Sequence, residues 1–374
     1  MIKKNNVFEN RIVNFDFLRG FFVVLALLEH YSYYANRWYL DYFKEFNALK
    51  TVYASHYPMI GKVLLSDLGT NILALIFVPW VSQIYLSLAC FNVAKKSKDE
   101  LLPQLNKTLK YLMILFGVFY VENFLVSSDF GQAISFNPIM LWMLVLMIIN
   151  SLYAHYGIKG IWILFGLSFL RWVLPLDYLS NGFEEVVRDF IHPSFEYDAR
   201  VEYFLTSGCI GFIMGYYYYH KKDWQLKQML SLSIVSTLII ACYFIFTPGY
   251  QNDPSDIYKY EHECAKSLIG SLYIWSVIVL IFNLFLIFEK KNIKFDLQLF
   301  NWVGRNSLFV FVTHKIFYLK IIMPITNFIY ANLGWYFENN YYVIISQAMI
   351  TLCLCWIVLK LNIVNIIARI PKAD

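Results

Sequence analysis

Charged residues are scarce in this sequence. Asp, Glu, Lys and Arg make up 15% of its 374 residues, while apolar residues make up 59% and aromatic residues 19%. A soluble domain carries about a quarter charged residues, because polar side chains must cover its surface. A soluble fold with a very large core would need amphipathic helices, but the apolar residues here form long uniform blocks. The composition therefore indicates an integral membrane protein.

Several signatures are also missing. There is no strand-period alternation of the kind that membrane barrels show. There is no glycine-rich phosphate loop, Cys-x-x-Cys or His-x-x-x-His, so neither a nucleotide-driven motor nor a catalytic zinc site is predicted, and no metal is expected. The net charge is +5, but no basic run is long enough to indicate nucleic acid. The six cysteines lie mostly in apolar segments, which favours packing roles over disulfides, and Cys353 and Cys355 should face different sides of a helix.

Apolar blocks long enough to cross a bilayer recur along the whole chain. A helix needs about 20 such residues to span roughly 30 Å of hydrocarbon, and backbone groups in lipid must be paired within their own segment. The blocks run approximately over 15–36, 70–92, 106–126, 138–154, 158–176, 201–219, 227–247, 266–288, 302–324 and 341–362. We therefore predict an all-α polytopic bundle of about ten transmembrane helices that forms a single membrane-embedded domain over residues 1–374, with eight or eleven spans as alternatives.

The positive charges predict the orientation. Outer loops 127–137 and 325–340 contain no Lys or Arg, and 177–200 and 248–265 lean acidic, while the first outer loop is an exception. The opposite segments carry the basic residues Lys3, Lys4, Arg11, Lys95, Lys96, Lys98, Lys159, Lys221, Lys222, Lys290, Lys291, Lys294, Arg369 and Lys372. By the positive-inside rule, both termini are cytoplasmic.

The first predicted helix carries ionisable residues, which are costly within a bilayer. Arg19 and His30 are eleven positions apart, so they project from one face about 16 Å apart along the axis. Asp16 can pair with Arg19 across one turn, and Gly20 would let another helix or a ligand approach closely. Glu29 points about 100° away from His30 and would orient another group. An interfacial anchor for Asp16 and Arg19, and a packing role for His30, remain open.

A second group of such residues lies in the ninth block. The run from Gly304 to Leu308 contains Arg305 and Ser307, and His314 follows near the middle of the predicted span. A basic group at the cytoplasmic edge of this helix could bind phosphate.

These residues resemble those of a known family. The Asp, the Leu-Arg-Gly and the His eleven residues after the Arg resemble the first helix of the acyltransferase-3 family of integral membrane acyltransferases, which is related to heparan-type glucosamine N-acetyltransferases and glucan succinyltransferases. The late Gly-Arg-Asn-Ser-Leu and its following His resemble their late helix. Residues 79–96 resemble their second helix loosely, since glycine usually stands where Cys90 is. Where that family often has two arginines, the chain has Lys107 and Lys110, and lysine cannot make bidentate contacts.

The resemblance implies transfer of an acyl group, usually acetyl, from acetyl-CoA or another cytoplasmic acyl-CoA. The acceptor would be a hydroxyl, or less often an amine, of a cell-surface glycan or its lipid-linked precursor, at a bacterial cytoplasmic (inner) membrane. Histidine can act as a base or as a transient acyl carrier near neutral pH. The implied catalytic group is His30, supported by His314 and Glu29; the implied donor-binding group is Arg19, positioned by Asp16, together with Arg305, Ser307, Lys107 and Lys110.

Two other classes of function remain open from the residues alone. A secondary transporter or flippase for a glycan or lipid also places His, Glu and Arg inside the membrane. Such proteins often have internal repeats, and the sequence has no obvious repeat. The third class is a structural or receptor-like membrane protein, in which these residues would affect stability but no chemistry.

Overall fold

The computed structural model describes residues 12–42, 68–97, 100–101, 113, 117, 121, 138–172, 201–221, 226–246, 267–322, 324–325 and 340–361. All regular secondary structure in these residues is helical, which confirms the predicted all-α class. The helices are α1 (Val13–Tyr42), α2 (Leu68–Val93), α3 (Pro138–Tyr156), α4 (Ile158–Ser168), α5 (Val201–Tyr216), α6 (Leu226–Phe246), α7 (Leu268–Lys290), α8 (Gln298–Arg305), α9 (Ser307–Phe317) and α10 (Asn340–Lys360). A short 3-10 turn, Phe169–Trp172, follows α4, and π-helical turns, Tyr217–Lys221 and Tyr318–Ile322, follow α5 and α9.

Most predicted blocks coincide with a helix to within a few residues. The first block is an exception in length, because α1 continues to Tyr42. The third block, 106–126, lies largely outside the described residues, although positions 113, 117 and 121 are helical.

The ninth block was wrong as one continuous helix. The structure ends α8 at Arg305 and begins α9 at Ser307, with a turn at Asn306. The Asn306 backbone N–H donates to the carbonyls of Trp302 and Val303, and its Nδ2 donates to the Trp302 carbonyl at 2.9 Å. An asparagine side chain that bonds the local backbone competes with the helix, and here it ends α8.

Two helical stretches in the described residues, Leu226–Tyr243 and Leu268–Lys290, are long and apolar enough to cross a membrane. Shorter apolar stretches lie in α2, α3, α4 and α10. In α6, large apolar side chains such as Ile234 and Leu238 are exposed. Apolar side chains on the outer surface are what a lipid environment favours.

The chain divides into two compact units. The first unit joins residues 1–68 to residues 292–374, and it contains α1, α8, α9 and α10. The second unit is continuous, from 69 to 291, and contains the rest of α2 and helices α3 to α7.

Close contacts in the second unit fix the direction of α2 relative to α5. The Ser207 hydroxyl donates to the Gln83 side chain, and further along both helices Gly215 lies against the main chain of Phe91. The contact therefore advances in the same direction along both helices, so they run parallel. Small residues permit this close approach of two backbones.

Helix α3 also runs parallel to α5. Trp142 meets Phe204 with ring centroids 6.3 Å apart, and further along Tyr153 meets Phe212 at 4.8 Å. Between these pairs, Ile149 packs on Gly208. Three helices separated in sequence thus run the same way within this unit.

Candidate active site

The first unit brings together the two segments that carry the predicted site residues. Helix α1 is continuous from Val13 to Tyr42, so positions 16, 19, 29 and 30 keep the predicted helical register. The side chains of Glu29 and His30 lie outside the described residues, as do Lys107 and Lys110.

Asp16 and Arg19 form the predicted ion pair. Arg19 Nη1 lies 3.3 Å from Asp16 Oδ1, across one turn of α1. Asp16 is 4% exposed, whereas the Arg19 side chain reaches further out. A guanidinium presents five N–H donors in a fixed fork, so it can hold this carboxylate and a second anion at once. The pair is therefore suited to bind a phosphate.

Helices α1 and α8 touch through their backbones at two glycines. A Cβ atom on Gly20 would overlap the main-chain carbonyl of Phe300, and one on Gly304 would overlap that of Asp16. The predicted close approach at Gly20 is thus confirmed, and the approaching element is a helix. The crossing brings the Asp16–Arg19 turn to the end of α8, where Arg305 follows Gly304.

Arg305 is exposed at the end of α8, and its Nε donates to the Asn301 carbonyl at 3.1 Å. Ser307 is half-buried and begins α9. The Arg305 guanidinium is exposed and is held by a carbonyl of its own helix. It can therefore bind an anion without first leaving a buried partner. Arg19, Arg305 and Ser307 thus belong to one end of this unit, which we call the arginine layer.

Asn14 holds this end together, although the sequence analysis did not single it out. Its Nδ2 donates to the Ile293 carbonyl at 2.8 Å, and its Oδ1 accepts from the Phe295 N–H at 2.9 Å. One buried amide thus satisfies a donor and an acceptor of the irregular segment that leads into α8. An asparagine at the start of an apolar helix was the available signal.

His314 is 4% exposed, on α9. Its Nδ1 lies 2.5 Å from the carbonyl oxygen of Phe311, and since a carbonyl can only accept, Nδ1 carries the hydrogen. Nε2 is therefore the basic nitrogen of the neutral ring. This tautomer suits a general base.

Tyr31 joins α1 to α9 and α10 beside His314. Its side chain is fully buried and stacks on Tyr318, with ring centroids 4.4 Å apart. Its hydroxyl lies 3.3 Å from the His314 carbonyl and 2.5 Å from Thr351 Oγ1 on α10. Tyr31 was not predicted from the sequence, in which its position directly after His30 is the only signal. We call Tyr31, His314 and Thr351, with the helical position of His30, the histidine layer.

The two layers lie along one helix. Gly20 marks the arginine layer and Tyr31 the histidine layer, and eleven residues of α-helix place them about 16 Å apart. Since α1 meets α8 at the first layer and α9 at the second, it runs parallel to both.

No protein-family model and no curated protein matches this chain.

Proposed function

We propose that this protein is an integral membrane acyltransferase. It moves an acyl group, most simply acetyl, from a cytoplasmic acyl-CoA to a sugar hydroxyl or amine of a cell-surface glycan or a lipid-linked precursor. The observation that carries the proposal is the packing of α1 against α8 and α9, which sets an arginine layer and a histidine layer about 16 Å apart within one unit. The first layer suits donor phosphates, and a thin pantetheine arm would carry the thioester to the second.

The membrane topology in the proposal is ten spans with both termini cytoplasmic, in a bacterial cytoplasmic membrane. The apolar exposed faces, the two long apolar helices and the distribution of Lys and Arg support it. The helix directions add support. Since α2 and α3 run parallel, a chain that spans the bilayer must cross back once between them, and block 106–126 is the apolar segment available there.

The chemistry follows from the groups in the histidine layer. A neutral imidazole takes the proton of the acceptor hydroxyl as its oxygen attacks the thioester carbonyl carbon. The carbon–sulfur bond then breaks, and the imidazolium returns the proton to the departing CoA thiolate. We assign His30 to this step and His314 Nε2 to a supporting or second base role, and Glu29 would orient the groups around them.

Donor binding is assigned to the arginine layer. Arg19, held by Asp16, and Arg305 at the exposed end of α8 would bind the CoA phosphates, with Ser307 beside them. In the proposal, Lys107 and Lys110 contribute further positive charge at the same side of the membrane. The pantetheine arm is neutral, so it needs no charged side chains beyond the arginine layer. The apolar surface of α1 is therefore sufficient to accommodate the arm.

The test is acetyl-CoA binding and turnover by the purified protein in nanodiscs, with Arg19→Ala, His30→Ala and the exposed-lysine control Lys227→Ala. We expect Arg19→Ala to weaken acetyl-CoA binding roughly 10- to 100-fold, the value of a charge-assisted hydrogen bond. His30→Ala should keep binding but lower turnover at least about 100-fold. Lys227→Ala should match the wild type. A wild type that neither binds nor consumes the thioester contradicts the proposal and favours the transporter alternative, which proton-coupled movement of a glycan lipid would then test.

A further inference from the structure

Tyr31 contacts three other elements at the histidine layer. It is fully buried, and its partners come from α9, from the π-turn after α9 and from α10. A buried tyrosine hydroxyl needs a polar partner, because leaving it unpaired costs free energy. Here the partners of the Tyr31 hydroxyl are the main-chain carbonyl of His314 and the hydroxyl of Thr351 on α10.

The donors and acceptors in the hydrogen bonds around Tyr31 can be assigned in part. Thr351 Oγ1 lies 3.0 Å from the Gln347 carbonyl, to which it can only donate. A hydroxyl has one hydrogen, so Tyr31 then donates to Thr351, its nearer neighbour at 2.5 Å, and the His314 carbonyl at 3.3 Å receives the weaker share. The result is a chain of hydrogen bonds that runs from Tyr31 on α1 through Thr351 to the backbone of α10. The His314 carbonyl accepts the weaker bond from the same Tyr31 hydroxyl.

We propose that Tyr31 is a positioning residue, whose hydroxyl, through Thr351 and the His314 carbonyl, aligns α9 with the turn of α1 that carries His30. This inference rests on the proposed acyl transfer. Stacking on Tyr318 alone would fill space, but a ring stack permits sliding, whereas a hydrogen bond has a preferred direction. A shift of about 1 Å in a catalytic group can cost 100-fold in rate, so such alignment has a measurable effect.

The experiment uses variants that remove a hydroxyl but keep shape. Tyr31→Phe keeps the stack with Tyr318, and Thr351→Val keeps the branched shape, whereas Thr351→Ser restores the hydroxyl. Tyr273→Phe is the matched control, because Tyr273 is equally buried and stacks on Tyr243 at 4.3 Å in the second unit. Acetyl-CoA binding capacity, KM and kcat are measured for each.

We expect Tyr31→Phe to lower kcat about 10-fold, with KM and binding capacity unchanged. Thr351→Val should lower kcat less, because the Tyr31 hydroxyl can then still donate to the His314 carbonyl. The double variant should be no worse than Tyr31→Phe, because Thr351 acts through the Tyr31 hydroxyl. Thr351→Ser and Tyr273→Phe should keep the wild-type kcat. An unchanged kcat in Tyr31→Phe, equal losses of kcat and binding capacity, or a Thr351→Ser as impaired as Thr351→Val would each overturn the inference while acyl transfer by the wild type stands. A wild type without acyl transfer would overturn both proposals.

Discussion

The two units differ in the kind of polar group that they bury. Among the described residues, the polar side chains buried as a whole in the second unit are neutral hydroxyls and amides, such as Ser87, Thr206 and Asn283, and its Glu289 is half-buried. The first unit buries the carboxylate of Asp16 and the imidazole of His314. Neutral groups can be satisfied by a neighbouring backbone, as Ser87 is by the Ser207 carbonyl, but charge in an apolar environment needs a dedicated partner.

In the proposed function, this difference separates the unit that serves as scaffold from the unit that carries the chemistry. In the second unit, small and neutral residues let helices approach each other, which is the ordinary means of association within membranes. In the first unit, costly ionisable groups lie in two layers on parallel helices. In a membrane protein such groups are rare unless they serve function, so the proposed acyl transfer is assigned to the first unit.

The largest expected effect separates two histidines that each bond a carbonyl of their own helix. His155, exposed in the second unit, places Nδ1 2.8 Å from the Ser151 carbonyl four residues before it, and His314 places Nδ1 2.5 Å from the Phe311 carbonyl three residues before it. We expect His314→Ala to lower acyl transfer about 100-fold or more, the usual contribution of acid–base catalysis, and His155→Ala to leave it unchanged. Turnover of acetyl-CoA checks both variants, and equal losses in the two would remove the distinction between the units.

The second prediction concerns close packing, which both units share. Gly304→Ala should prevent correct folding, because its Cβ would overlap the Asp16 carbonyl, and Gly211→Ala in the second unit should behave likewise at Ser87. Gly166, on α4, has open space around a Cβ, so Gly166→Ala should be neutral or add about 0.5–1 kcal/mol of stability. Monodisperse yield and thermal unfolding measure all three. A Gly304→Ala variant that folds like the wild type would contradict the assigned helix contact.

A smaller effect separates long-range from local hydrogen bonds. Asn14→Leu leaves the Ile293 carbonyl and the Phe295 N–H without their amide partner, which should cost about 2–4 kcal/mol. The Ser233 hydroxyl, in the second unit, donates to the carbonyl four residues before it, which is a local bond within one helix, so Ser233→Ala should cost far less. Unfolding midpoints in the same detergent give the comparison, and similar shifts in both would show that Asn14 does not tie the first unit together.

The smallest effect is a surface titration in the second unit. The Ser97 backbone N–H donates to the Glu100 carboxylate at 2.9 Å, and this bond lowers the pKa of Glu100 below its usual range. Because the pKa of Glu100 is lower in the folded state than in the unfolded state, the ionised carboxylate stabilises the fold at neutral pH. This stabilisation is lost as the pH falls through the folded-state pKa of Glu100. The wild type should therefore unfold at a slightly higher temperature than Glu100→Gln near pH 7, and the gap should close from about pH 5 to pH 3. A gap that does not change with pH would show that this bond does not affect folding.

Much of the architecture was predictable because it depends on local sequence. Long apolar blocks predicted the helices, and a three-residue spacing predicted the Asp16–Arg19 pair. The break at Asn306 was not predicted because apolar residues resume at Leu308, and the apolar composition of the block hid the effect of one side chain that bonds its own backbone.

The contacts that assemble the site could not be predicted in this way. Tyr31 and His314 are 283 positions apart, and Asn14 and Phe295 are 281 apart. Nothing in the local pattern near Tyr31 distinguishes it from the tyrosines that follow it, Tyr33 and Tyr34. Its role depends on which helix faces it, and this is decided by the glycine crossing of α1 and α8, about three helical turns earlier on α1.

The most direct test of the central claim is release of free CoA thiol from acetyl-CoA by the wild type in nanodiscs, with extracted membrane glycolipids as acceptor. We expect saturable release that requires the acceptor and is lost in His30→Ala, with acetyl label appearing on the glycolipid. A correctly folded wild type that releases no thiol and transfers no label would contradict the proposed acyl transfer.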